Sequence, residues 1–420
     1  MVAQTSQLSV DATTLRVLSK VYGSVVQLDD RGRLDDEISV KIDFATIGSK
    51  KRPRSDGSPT TSTTASRQQP RSFDSKPPKL APLAGIIEMH KAALAVAVLS
   101  LKHKVVAQME EIVPKHCIIA TNTSTLPIAH IAQHAKRPEN IVGMHYFSPA
   151  EVMQLLEVIP HAKTSDAVCA AAVDVGIRQG KTVISVKDVP GFYVNRCIGP
   201  MSTEALAVVQ QGCDPIKLNQ AMLDFGYPVG PITLLDEVGI DVTTHVVNNL
   251  IGDPAKGYLG VRMEGADLKI MDDFVAAGLL GKKTGKGFFD HSDKKAKVKA
   301  IHPEAAKLIK KYQHPTKRID PATPIEAIVE RVVLRFVIEA IHCLQDGIIA
   351  SARDGDIGAV FGVGFPPFRG GPFMWLDTVG PKVIVEKLKK LEAEHGPQFA
   401  PPKLLLDKAA KGELFHNAKP

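Results

Sequence analysis

A histidine can act as a general base when a carboxylate fixes its tautomer and stabilises its cation. The stretch GMHYFSPAEVMQLLEVI, residues 143–159, contains both partners. His145 sits among aromatic neighbours, and Glu157 interrupts an apolar run between Leu156 and Val158. Both fall near the ends of consecutive predicted strands, with Pro149 breaking the chain between them. If those strands are neighbours, the two side chains can meet. From spacing alone two readings stand: a base with its orienting acid, or a hydrogen-bonded structural histidine beside an ordinary acid at a strand end.

Two further stretches bear groups of the right kind. Thr121-Asn122-Thr123-Ser124-Thr125 follows a predicted strand and precedes a predicted helix. Hydroxyl-rich loops at the carboxyl ends of strands are where α/β sheets bind ligands. The alternative is local: Ser124 or Thr125 caps the helix that follows. Asn195, in PGFYVNR, either returns over the same site on a new helix or is a polar residue in a first helical turn. GLLGKKTGKGFF, residues 278–289, lacks the glycine spacing of a phosphate loop and reads as a basic loop before a short strand. The five cysteines are scattered without CxxC spacing, so neither a metal site nor a disulfide framework is expected.

The elements that must position these groups alternate first and then change character. Strands are predicted at residues 116–120, 141–147, 155–159 and 182–186. Helical patterns fall at 127–135 and 167–179, and residues 90–109 read as a helix or a strand plus a helix. Alternation of this kind predicts an α/β layer with parallel pairing. After Pro190-Gly191 the pattern becomes one of long amphipathic helices containing an internal repeat. GPITLLDEVG at 230–239 matches GPFMWLDTVG at 371–380. Gly226-Tyr227-Pro228 matches Gly364-Phe365-Pro366, and Glu204-Ala205 matches Glu339-Ala340. The fold class expected is α/β plus all-α, a partial Rossmann-like parallel sheet followed by two related helical domains. The expected boundaries are an unassigned, largely disordered segment at 1–90, the partial nucleotide-binding domain at 91–188, and helical domains at 189–290 and 325–415. A linker at 291–324 joins the two helical domains.

The chain has 420 residues and a net charge of +7, which favours anionic partners without choosing among them. Aromatic residues make up only 5%, too few for the stacking surface of a single-strand nucleic-acid binder. No run approaches the length of a membrane span. Residues 49–80 have the composition of a disordered linker, and Lys50-Lys51-Arg52-Pro53-Arg54 is either a solvated part of it or a nuclear-import patch.

Together, LKHKVV, TNTSTLPI, GMHYFSP, QLLEVI, DVPGFYVNR, GYPVGP, LLDEVGIDV and GDIGAVFGVGFPPFRGGPF occur in one order from about residue 99 to 415. This set resembles the L-3-hydroxyacyl-CoA dehydrogenase family, in the form found in the multifunctional subunit of fatty-acid β-oxidation. The resemblance implies NAD as cofactor and an acyl-CoA as substrate. It implies His145 as base, Glu157 as its orienting acid, Ser124 bonding the substrate 3-oxygen and Asn195 positioning substrate or base. Asn122 and Ser124 are the implied cofactor contacts. A homo-oligomer or a β-oxidation complex is the implied assembly, in mitochondria or peroxisomes. Against the family pattern, no GxGxxG occurs anywhere, and residues 93–99 contain no acid. Three expectations follow: a working NAD-dependent dehydrogenase, a catalytically impaired homologue with a structural or assembly role, or a truncated or misjoined gene product without a stable function.

Overall fold

The computed structural model describes residues 87–89, 99–293, 296 and 299–416. All belong to one compact unit, Ala84–Pro420. The unassigned N-terminal segment, its basic patch and the start of the 90–109 pattern lie almost entirely outside the described residues.

Five strands form one sheet in the order of the chain: β1 Ile87–Met89, β2 Ile119–Thr121, β3 Ile141–Tyr146, β4 Leu155–Ile159 and β5 Thr182–Ser185. The pairs β1–β2, β2–β3 and β4–β5 are parallel, but β3–β4 is antiparallel. The all-parallel expectation is corrected here, and the reason is length. A parallel crossover needs a dozen or more residues, and only residues 147–154 separate β3 from β4. Both strands are buried along their whole length, which suits their continuous apolar runs.

Helix α1 (Leu99–Ile112) crosses from β1 to β2 and turns Lys102, Val106 and Glu110 inward, a spacing of one helical face. The short α2 (Ile128–Ile131) follows β2, and α3 (Asp166–Arg178), capped by Ser165, joins β4 to β5. Gly176 of α3 is needed for packing: a Cβ there would fall 2.6 Å from Leu156 Cδ2 and 2.7 Å from Val183 Cγ2.

After β5 the described chain is almost wholly helical. The first helical unit runs α4 (Val194–Gln210), α5 (Pro215–Phe225), α6 (Pro231–Val238), α7 (Ile240–Leu250) and α8 (Lys269–Ala276). Helix α9 (Pro303–Lys311) lies in the stretch expected to be a linker. The second unit runs α10 (Ile325–Gln345), α11 (Ala352–Val363), α12 (Pro372–Val379), α13 (Pro381–His395) and α14 (Lys403–Lys411). Helices α4 and α10 are buried nearly all round, as two central helices must be.

The sequence repeat is a structural repeat. Gly239 and Gly380 join α6 to α7 and α12 to α13 with nearly the same backbone angles, φ 102° and ψ 129° against φ 97° and ψ 127°. Asp236 accepts the amides of Phe288 and Phe289, and Asp377 accepts those of Phe415 and His416. The two units also exchange charges. Arg196 of α4 bonds Glu339 of α10 at 2.7 Å, and Arg331 of α10 bonds Glu204 of α4 at 2.7 Å. All four side chains are buried.

Candidate active site

The site is built from the ends of β2 and β3, the middle of β4 and the segment entering α4. In the β3–β4 ladder His145 is the direct partner of Glu157. The imidazole Nδ1 donates to Glu157 Oε2 at 2.6 Å. Glu157 is fully buried and His145 is 4% exposed. A buried carboxylate needs its remaining lone pairs satisfied. The backbone supplies them: Oε1 accepts the Val194 amide at 3.0 Å and the Tyr193 amide at 3.3 Å. A carboxylate so placed requires the hydrogen on Nδ1, which leaves the lone pair on Nε2. Phe147 and Phe192 flank the imidazole, with ring centroids at 4.4 and 5.8 Å.

The hydroxyl-rich loop lies beyond β2. Asn122 Oδ1 accepts the Tyr146 amide at 2.8 Å, tying the loop to the residue after His145. Asn195 Nδ2 donates to the Ser124 carbonyl at 3.1 Å, so the first turn of α4 does return to this loop. Thr125 accepts the Gly191 amide on its carbonyl and Asn249 Nδ2 on its hydroxyl, both at 3.1 Å. Ser124 is half-buried. The structure thus brings His145 to Glu157 and Ser124 to Asn195.

Neither Ser124 nor Thr125 caps the following helix, which corrects the local alternative. The N-cap of α2 is Pro127, which has no side-chain cap bond. Asp188, sixty residues along, fills that role: Oδ1 accepts the Ile128 amide at 2.6 Å and Oδ2 the Ala129 amide at 2.7 Å. Burial raises the Asp188 pKa above its ordinary value, and the two amides oppose that shift. Sequence reasoning missed Asp188, the Tyr193 and Val194 amides, and Asn249. Only the acid just before Pro190-Gly191 hinted at any of them.

Whether a dinucleotide fits depends on the carboxyl edge of β1–β3. Thr121 Oγ1, at the end of β2, and Lys102 Nζ, on the first turns of α1, are buried without a hydrogen-bond partner among the described residues. Desolvation lowers Lys102 to about 8. Orphaned donors of this kind suit a polar or anionic group, so this part of the edge fits. A pyrophosphate is conventionally held by a glycine turn at a helix N-terminus. The earliest glycine among the described residues is Gly143, which faces Ile128 and Ile159 rather than open space. The described residues therefore fit the part of the cofactor nearest the base and supply no cradle for its phosphates.

Comparison with known proteins gives a consistent family. Residues 56–189 match the NAD-binding domain of 3-hydroxyacyl-CoA dehydrogenase. Residues 191–291 and 328–419 both match its C-terminal domain, which accounts for the repeat. The chain is 46% identical over 322 residues to the fatty acid oxidation complex subunit alpha of Vibrio vulnificus, covering 76% of this chain and 43% of that protein. It is 44% identical over 320 residues to the subunit of the same name from Shewanella amazonensis, again covering 43% of the relative. The chain thus spans less than half the length of these relatives. Among solved structures, 3-hydroxybutyryl-CoA dehydrogenase from Escherichia coli matches with a TM-score of 0.63 at 25% identity, over 76% of this chain and 80% of that one. The dehydrogenase part of multifunctional enzyme 1 from C. elegans matches with a TM-score of 0.50 at 25% identity, over 74% and 69%. The mitochondrial or peroxisomal compartment expected from the sequence is overturned, because these similar complex subunits are bacterial.

Proposed function

Since the chain belongs to the 3-hydroxyacyl-CoA dehydrogenase family, we propose that it oxidises an L-3-hydroxyacyl-CoA to the 3-oxoacyl-CoA, with His145 as the base. The observation that carries this reading is the 2.6 Å bond between His145 Nδ1 and Glu157, whose other oxygen is held by backbone amides.

Oxidising a secondary alcohol removes a proton from oxygen and a hydride from carbon. NAD, when bound, supplies the acceptor for the hydride from C3. His145 Nε2 takes the hydroxyl proton, and Glu157 stabilises the imidazolium that results. The Ser124 hydroxyl bonds the 3-oxygen and holds it toward the base. Asn195 fixes the backbone of that loop and, with Asn122, keeps it in place beside β3. Asn122 and Ser124, with Thr121 and Lys102 behind them, are the residues that would contact the near part of the cofactor. The name shared by the relatives supports a place in a fatty acid oxidation complex, with this chain as the part that handles the acyl-CoA alcohol.

The second reading is a catalytically impaired homologue with a structural or assembly role. The absence of any GxGxxG favours it. One experiment separates the two: NADH formation from an L-3-hydroxyacyl-CoA by the purified chain, beside an NAD titration. Turnover that disappears in His145→Gln with the fold intact supports the dehydrogenase. No binding at millimolar NAD would sink it in favour of the impaired homologue.

A further inference from the structure

Residues 188–195 touch both halves of the site. We infer that Asp188 is a positioning residue that sets the Ser124 loop against the His145–Glu157 pair. The inference rests on the functional reading above.

Helix α2 has no side-chain cap from its own neighbourhood in sequence. Pro127 brings no cap to α2, so its first free amides depend on the two Asp188 oxygens, at 2.6 and 2.7 Å. Two more contacts from the same segment reach the loop itself: the Gly191 amide to the Thr125 carbonyl, and Asn195 Nδ2 to the Ser124 carbonyl. Ser124 therefore lies on a short stretch, residues 124–129, pinned at both ends from 188–195.

The other face of the segment holds the acid. Tyr193 and Val194 give their amides to Glu157 Oε1. Between Gly191 and the Tyr193 and Val194 amides the chain passes through Phe192, whose φ of 53° is a strained, left-handed conformation for a bulky residue. The Phe192 ring is fully buried and lies 5.8 Å from that of His145. Such a conformation persists only where its surroundings over-determine it. Here Asp188 anchors the segment before the bend, and Val194 anchors it after. The segment acts as a clip that registers the hydroxyl of one loop to the base of another strand.

Asn at position 188 keeps the shape but has one acceptor oxygen, so one of the two amides then faces an NH2 group. The test is made on the full chain with L-3-hydroxybutyryl-CoA and NAD. Asp188→Asn is expected to lower kcat roughly ten- to a hundredfold, as small misplacements do. The decisive readout is a double-mutant cycle with Ser124→Ala. If Asp188 works through Ser124, the double variant is no slower than Ser124→Ala alone. Losses that multiply, or a kcat unchanged in Asp188→Asn, overturn the inference. Amide exchange at Ile128 and Ala129 gives a reading independent of turnover. It should accelerate in Asp188→Asn, and unchanged exchange overturns the clip outright. A parent chain without turnover refutes only the functional reading, and exchange then decides the clip by itself.

Discussion

His145 and Glu157 are direct partners across an antiparallel strand pair, so their 2.6 Å contact is set by a hydrogen-bonded ladder and not by a loop. A one-residue slip of either strand would send its own member of the pair to the wrong face. Burial of every residue in β3 and β4 makes such a slip costly. The geometry of the pair is therefore as firm as the sheet.

Replacing Glu157 with Gln tests that pair. A glutamine can present its NH2 group to Nδ1 and favour the other tautomer, and it cannot stabilise an imidazolium. The expected loss in kcat is on the order of 10²–10⁴ with the far-UV spectrum unchanged. Steady-state kinetics with an L-3-hydroxyacyl-CoA checks it, and a kcat near that of the parent rejects the role.

Glu339→Ala tests the contact between the two helical units. It strands Arg196, which is 1% exposed, and takes a partner from Arg262. Breaking a buried pair on one side costs about 3–5 kcal/mol. Urea unfolding should show a lower midpoint by a corresponding amount. A midpoint within error of the parent means the guanidinium finds another partner.

Acid stability should depend on His342. Burial, with Arg262 and Arg196 adding to it and Asp346 opposing, lowers its pKa from 6.5 to about 4. The unfolded chain therefore binds the proton first, and stability falls as pH drops from 6.5 toward 4. Asp356 works in the other direction. Burial raises it from 3.8 to about 6, so the fold binds that proton first and gains stability as pH falls through this window. His342→Gln should flatten the decline between pH 6.5 and 4 in urea midpoints. An unaltered slope counts against the assignment.

Gly362→Val should connect the far helical unit to the site. A Cβ at 362 would lie 2.6 Å from Leu155 Cδ2 and 2.9 Å from Val194 Cγ2. Overpacking of this kind costs roughly 1–3 kcal/mol. Because the Val194 amide holds Glu157, kcat should fall together with Tm. A lowered Tm with unchanged kcat would separate packing from alignment.

Much of the site was legible because its chemistry is compact in sequence. Strand β4 falls on residues 155–159, and Glu157 stands out there as the one acid in an apolar run. The repeat was legible because Gly-Pro starts and Gly stops punctuate both copies. Strand direction does not follow from the alternation of elements, because the β3–β4 connection, residues 147–154, is too short for a parallel crossover. The capping role of Asp188 was hidden for a deeper reason. A local cap leaves a signature within three residues, but this one reaches a helix sixty residues away. The hydroxyls of Ser124 and Thr125 offered a nearer cap that the backbone does not use.

The reciprocal bonds Arg196–Glu339 and Arg331–Glu204 have the pattern of an isologous contact, in which each side gives the other what it receives. Between separate chains such a contact obeys mass action and weakens on dilution. Here the chain from α4 to α10 is continuous, so the association is unimolecular and its strength is independent of protein concentration. The stoichiometry is likewise built in: two helical units stand behind one sheet and one His145, in every molecule and at every dilution.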